Sequence, residues 1–383
     1  MAIMVLDHTR DFAFAGTMHM NPLDLTRTTT AIFFTRWITH FCAPVFVLLA
    51  GCGVYLQRSR GKSVPELSRF LLTRGAWLIV LEFTVVRTGL TFSLDFHVLG
   101  IAQVIWAIGV AMIVLAGLVY LPPRIVGAVG AVLIVFHNLL DRFPVYGWHG
   151  PDSRYPTLPQ AIWTFLHGSF QAIPLGHPYP LVVAGYALIP WVGVMAVGYA
   201  LGTVYDLTQK ARRSRLLWMG GGLVAAFCVL RAINLYGDPS PWSVQDAPWY
   251  TVLSFLNTTK YPASLDFLLM TLGPALIALA MFERMPPSRL TAPVITIGRV
   301  PLFFYIFQWY VPHILTLLLA IAAHKNTSWL FAHFPFAERG SDAGFSLRTT
   351  YGIWLASLLI LYPMCSWFAG VKRRRRDWWL SYL

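Results

Sequence analysis

Charge is what this chain has least of. Asp, Glu, Lys and Arg make up 12% of its 383 residues and apolar residues 57%, against the roughly 25% charged of a soluble domain. Composition therefore excludes a soluble globular fold. Cysteine is also scarce. Cys42, Cys52, Cys228 and Cys365 all fall inside apolar segments, which excludes both a disulfide framework and a metal-ligand spacing. No HExxH motif or carboxylate ladder occurs, so no metal site is expected. Acidic residues number 16 against 29 basic ones, but the basic residues lie in short runs between apolar segments rather than on one amphipathic face. That pattern argues against nucleic acid as a partner. The first segment has no basic start and no long apolar run before its charges, so it does not read as a signal peptide.

Long apolar runs are what the chain has in abundance. They lie near 1–17, 31–57, 75–94, 97–120, 125–140, 180–202, 216–236, 262–282, 301–323 and 349–370. The expected fold is an all-α polytopic membrane bundle of about ten transmembrane helices, forming one domain over residues 1–383. If the first segment runs outward, 18 of the 29 Lys and Arg fall on the inner side, so the positive-inside rule puts both termini in the cytoplasm. The C-terminal KRRRRDWWLSYL suits either contact with anionic headgroups or a plain stop-transfer anchor. The first segment is short. From Met1 to Gly16 a helix covers about 24 Å of a roughly 30 Å hydrocarbon core, and this one carries Asp7, His8, Arg10 and Asp11. It is expected either to enter the membrane partway or to lack residues upstream of Met1.

With that topology none of the eleven histidines is cytoplasmic. His8, His40 and His137 fall in the outer thirds of spans and His313 at mid to outer depth, where a polar side chain needs a partner and marks a path or a site. Asp7, His8, Arg10 and Asp11 cluster at the outer end of the first span, and Arg36 and His40 stand four apart on the second. Asp7 is expected to orient an imidazole of a general base. The alternative is a structural ion-pair knot between two helices. Glu82 sits mid-membrane in LIVLEFTVVR, with Arg87 about 140° away round the helix, so Glu82 must look to another helix.

A second polar group gathers around FLNTTKYPASLDFLLMTLGP (255–274), where Asn257, Thr258, Thr259 and Lys260 precede Pro262. Proline suits a first helical turn, so a helix is expected to begin there, with the polar run at its positive end, ready to hold an anionic or carbonyl oxygen. An interfacial loop with a snorkelling lysine is the plainer alternative. Arg231, Asn234, Tyr236 and Asp238 are expected at the same level, either as part of the site or as glue between helices.

These residues bring the sequence to a family. HFCAPVFVLLAG (40–51), SRFLLTRGAWLIVLEFTVVR (68–87), AINLYGDPSPW (232–242), LSFLNTTKYPASLDFLLMTLGP and GRVPLFFYIFQWYVPH (298–313) resemble bacterial membrane proteins grouped with heparan-α-glucosaminide N-acetyltransferase. The resemblance covers nearly the whole chain. It implies transfer of an acyl group, acetyl in the characterised relative, from cytosolic acetyl-CoA to an amine on the far side of the membrane, with a histidine near that face. The matches are His8, His40 and, in the first outer loop, His19. Gln308 stands where bacterial relatives often have histidine, and the family's Asp-x-x-Arg-Gly element before the first span is absent.

The resemblance and the polar groups together imply an acyltransferase of a bacterial inner membrane. His8 and His40 with Asp7 would be catalytic, and Arg10, Arg36, Glu82, Arg231, Asn257, Thr258 and Lys260 would contact substrate. Acetyl-CoA is the expected co-substrate, an envelope glycan or amino sugar the acceptor, and membrane lipids are further partners. No cofactor is expected to stay bound, and a homo-oligomer is compatible with the reading. The donor's phosphates would meet Arg58, Arg60, Lys62, Arg69 and Arg74 or the Lys210 to Arg215 run. The rival class is a carrier or flippase for a lipid-linked sugar, against which stand unequal loops and no visible inverted repeat.

Overall fold

The computed structural model of the chain describes every residue but 18–20, 178, 287, 290, 334–342, 376 and 383, and the backbone alone at 17, 378 and 381. Each of the ten apolar segments contains helix. α1 (Ala2–Ala13) fills the first. The second holds α2 (Thr30–Trp37), a 3-10 turn (Ile38–Phe41) and α3 (Cys42–Ser59), and the third holds α4 (Val64–Leu81), a π turn (Glu82–Val86) and α5 (Arg87–Thr91). α6 (Val104–Leu118) and α7 (Pro123–Phe136) follow, then a short helix outside the segments, α8 (Leu158–His167), and α9 (Leu188–Leu201) and α10 (Gln209–Ile233). A second short helix, α11 (Pro248–Leu256), precedes α12 (Leu265–Phe282). α13 (Ala292–Gly298), α14 (Pro301–Ala322) and α15 (Leu347–Arg374) complete the order.

Among the described residues, seven helices are long and apolar enough to cross a membrane: Thr30–Ser59, Pro123–Leu140, Leu188–Asp206, Gln209–Ile233, Leu265–Phe282, Pro301–Ala322 and Leu347–Arg374. The chain is a polytopic helical membrane protein. The other three expected spans differ for identifiable reasons. α1 has 12 residues and α6 has 15, while the helix from Val64 to Thr91 carries Glu66, Arg69, Arg74, Glu82 and Arg87 along its length.

The fold is not purely helical. The run Leu181–Ala184, expected at the head of a span, is the central strand (β3) of a small sheet ordered β1-β3-β2. It pairs parallel to β1 (Val98–Ala102), with Val98 opposite Leu181 and Ala102 opposite Ala184, and antiparallel to β2 (Gln171–Pro174). Short apolar runs rich in β-branched residues and bounded by Pro180 and Gly185 carry no periodicity that separates strand from buried helix.

The chain forms two compact units. The first comprises Met1–Cys42, Thr84–Asp95 and Pro286–Leu383. In it α1 packs on α14 and α15 through Val5 and Phe12, both fully buried. Polar ties fix its ends: Trp354 Nε1 donates to Ala2 O (2.8 Å), and Phe345 N donates to Ala13 O (2.7 Å). α5 crosses α14 at Gly89, where a Cβ would lie 2.7 Å from the Tyr310 ring.

The second unit comprises Ala43–Phe83 and Phe96–Met285. Its helices meet in pairs at facing glycines: α4 with α6 at Gly75 and Gly109, α7 with α9 at Gly130 and Gly193, α10 with α12 at Gly220 and Gly273. A Cβ on any of the six would come 2.5–3.1 Å from the partner glycine's carbonyl oxygen. Small residues of this kind let helices approach in lipid, where apolar side chains gain little from leaving one apolar medium for another.

Candidate active site

In the first unit, α1 presents four ionisable residues within two turns. Arg36 Nη1 on α2 donates to both oxygens of Asp7, at 2.6 and 2.7 Å. Arg10 Nη2 bonds Asp11 Oδ1 at 2.7 Å and lies 3.2 Å from Asp7 Oδ1. Two guanidiniums and two carboxylates thus pair among themselves, mostly out of water. His8 stands beside them. Its ring lies on the indole of Trp309, centroids 3.8 Å apart, and its Nδ1 is 3.8 Å from Asp11 Oδ2, beyond hydrogen-bond reach.

Asp7, expected to orient an imidazole, is bonded to Arg36 and lies against Arg10. The carboxylate facing His8 is Asp11, because residues three apart share a helix face whereas immediate neighbours point about 100° apart. Asp7 serves the two arginines instead. Between Arg36 and His40 the backbone tightens into the 3-10 turn that begins at Ile38. His40 is fully buried, while the His8 side chain is 13% exposed. His19 lies outside the described residues.

Against His8 and Phe12 lies a face of α14 that carries Trp309 and His313, with Gln308 next to Trp309 in the chain. Gln308 is fully buried and neither atom of its amide has a hydrogen-bond partner. His313 is clamped between Phe12 (centroids 4.4 Å) and Phe92 (3.8 Å), and its Nδ1 donates to Gly89 O at 3.0 Å. Sequence reasoning noted Gln308 as a departure and His313 as a depth. It had no means of placing His313 against Phe12 of α1.

In the second unit, Glu82 Oε2 accepts from Trp106 N (3.1 Å) in the first turn of α6, so its partner is indeed on another helix, at a positive helix end. Arg231 and the Asn257–Lys260 run also come together. The fully buried guanidinium donates to the backbone carbonyls of Phe255 (3.1 Å), Ser240 (3.0 Å), Ser254 (3.3 Å) and Asn257 (2.7 Å). Asp238 and Asp266 stand 3.9 and 3.8 Å away. Asp238 in turn accepts from Thr259 N, Thr259 Oγ1 and Ser264 Oγ, each at 2.7 Å.

The helix expected at Pro262 begins at Leu265. Ser264 is its N-cap, accepting from Phe267 N at 3.1 Å, and Asn138 Oδ1 accepts from Leu265 N at 2.9 Å. Serine wins because its side chain satisfies an open helix-end donor, which proline cannot do. Protein oxygens therefore occupy the head of α12, where a ligand oxygen was expected. Thr258 Oγ1 contacts Met270 Sδ (3.8 Å), and Lys260 Nζ lies 5.0 Å from the Tyr261 ring centroid.

A further cluster in this unit escaped sequence reasoning. His167 Nε2 donates to Asp141 Oδ1 at 2.9 Å, and Asn138 Nδ2 donates to Asp141 Oδ2 at 2.9 Å. Burial pushes the Asp141 carboxyl up, but these hydrogen bonds outweigh it and hold the group below the usual carboxylate range. His167 is 3% exposed, stacks on Trp163, and its Nδ1 has no partner. The spacing of Asn138 and Asp141 in HNLLD was visible, but the 26 residues between Asp141 and His167 are bridged only by the fold.

Basic residues considered for a donor's phosphates are partly engaged. Arg58 Nη1 donates to Tyr199 Oη (2.7 Å), Lys62 Nζ to Gln57 Oε1 (2.9 Å), and Arg212 pairs with Glu283. A family model described as heparan-alpha-glucosaminide N-acetyltransferase, catalytic, matches residues 2–236, more than half of the chain. The chain belongs to that family. It is a membrane acetyltransferase by that membership. The match takes in α1 to α10, and with them Asp7, His8, Arg36, His40, Glu82 and Arg231, while Asn257–Lys260 and α14 lie beyond it. No curated protein matches the sequence.

Proposed function

We propose that this member of the heparan-α-glucosaminide N-acetyltransferase family moves an acyl group, most simply acetyl, from cytosolic acyl-CoA to an amine or hydroxyl of an extracytoplasmic sugar, with His8 as the general base. The observation that carries the reading is the state of His8. The four charged groups around it are paired with one another, whereas its own side chain keeps 13% exposure. A base must be reachable by the proton it takes. On this ground His8 is preferred to the fully buried His40. Asp7 then acts through Arg36 and Arg10, whose guanidiniums it holds beside the imidazole.

On the ten-span reading of the sequence, the 18 Lys and Arg on one side support cytoplasmic termini in a bacterial inner membrane. The donor then enters from the side of Arg60, Lys210 and Arg215, which are exposed. Purified protein in lipid should consume acetyl-CoA only with an amino-sugar or glycan acceptor present, releasing free thiol. Lack of acyl-CoA dependence with every sugar tried would return the chain to the carrier class.

A further inference from the structure

The C-terminal end of α15 carries a basic recess that the α1 cluster does not include. Ser366, Gly370 and Arg373 recur at helical spacing on one face, and with Lys372 they line one side of a cavity of about 480 Å³. Thr296 on α13 and Arg299, in the turn to α14, line it too. The volume falls within the about 300–1,000 Å³ of small-molecule sites. Its wall is low at Gly370, where an added Cβ would meet nothing nearer than Arg374 Nη2 at 3.8 Å.

The lining holds three cations, two hydroxyls and, among the described residues, no carboxylate. Neither Arg299 nor Arg373 has an acidic partner among those residues, whereas the neighbouring Arg375 Nε donates to Asp377 Oδ2 at 2.9 Å. Basic residues that merely fix topology, or offset the negative end of α15, need no second chain segment and no cavity. Guanidiniums converging on a recess with hydroxyls fit a compact anion with several acceptor oxygens. We propose that this cavity binds the phosphate group of an anionic ligand, carried either by a phospholipid headgroup or by a free phosphate.

The test uses the full chain in phosphatidylcholine nanodiscs, with phosphatidylglycerol titrated into the lipid in one arm and inorganic phosphate added to the buffer in the other, reading the thermal midpoint. The double variant Arg299→Gln/Arg373→Gln should weaken the effective ligand by about 30-fold, from the loss of two basic contacts. Gly370→Leu fills the recess and leaves every charge in place, so it should weaken binding as well. A shift with phosphatidylglycerol that both variants lose supports the site with lipid as its source, and a shift with phosphate that both lose supports a free phosphate. Three results overturn the proposal: no shift in the wild type, equal shifts in wild type and variants, or full binding by Gly370→Leu, which would mean a basic surface without a built site.

Discussion

Two buried arginine clusters, one in each unit, use the same residue types to opposite ends. Arg36 and Arg10 on α2 and α1 spend their guanidiniums on side-chain carboxylates and leave an imidazole at the edge of the cluster. Arg231 spends its own on four backbone carbonyls, tying the end of α10 to the loop before α11, to the last turn of α11 and to the polar run before α12. A guanidinium bonded to main chain fixes a chain path, and little of it remains for a substrate. Ion pairs between side chains, with a titratable ring left over, define charges around a point where a proton can move. The comparison teaches that a buried charge is read by what its partner is, backbone or side chain, more than by its depth.

The comparison can be broken most severely at Arg231. Arg231→Met leaves Asp238 and Asp266 without their cation and takes a charged donor from four carbonyls, and should cost about 3–5 kcal/mol, the range for breaking a buried charged pair. Detergent-solubilised variant should unfold at markedly lower temperature, and an unchanged midpoint would show that the loop holds without it. Asp7→Asn comes next. It removes charge-assisted bonds to Arg36, worth about 1.5–3 kcal/mol, and should slow transfer less than loss of His8 does, because Asp7 acts through the arginines it holds. A slower rate for Asp7→Asn than for His8→Ala would restore Asp7 to the role first expected of it.

A control outside both clusters is Gly273→Val, which drives a side chain into the Gly220 carbonyl and should cost about 1–3 kcal/mol without changing the rate per folded molecule. The smallest effect is an acid one. The folded Asp141 carboxyl lies below its unfolded value, so its contribution is fully present above the unfolded pKa of about 3.9 and is lost as pH falls through the folded pKa. Wild type should lose stability on that acid limb, and Asp141→Asn should flatten it. Parallel curves for the two would remove His167 and Asn138 as the source of the shift.

Much of this was legible in the sequence, because lipid makes each polar residue conspicuous. The ten apolar runs locate the helices, the isolation of Glu82 demands the partner found at Trp106 N, and Arg231 with Asn257 reads as one group. What could not be read depends on three-dimensional choice among equals. Leu181–Ala184 is strand because β1 lies beside it, and α12, capped by Ser264 at its start, has its Leu265 N–H taken by Asn138, 127 residues away. Asp11 rather than Asp7 faces His8, a difference of four residues within one short helix. The Asp141 and His167 pair is held together by tertiary structure alone.

The most direct measurement sets rate against stability for one substitution in each cluster. His8→Ala, reconstituted with acetyl-CoA and an amino-sugar acceptor, should lose transfer by about 10²-fold or more, the scale of general acid–base catalysis, with a thermal midpoint near wild type. Arg231→Met should show the reverse, with a lowered midpoint and a rate per folded molecule close to wild type. Full turnover by His8→Ala would contradict the assignment of chemistry to the α1 cluster.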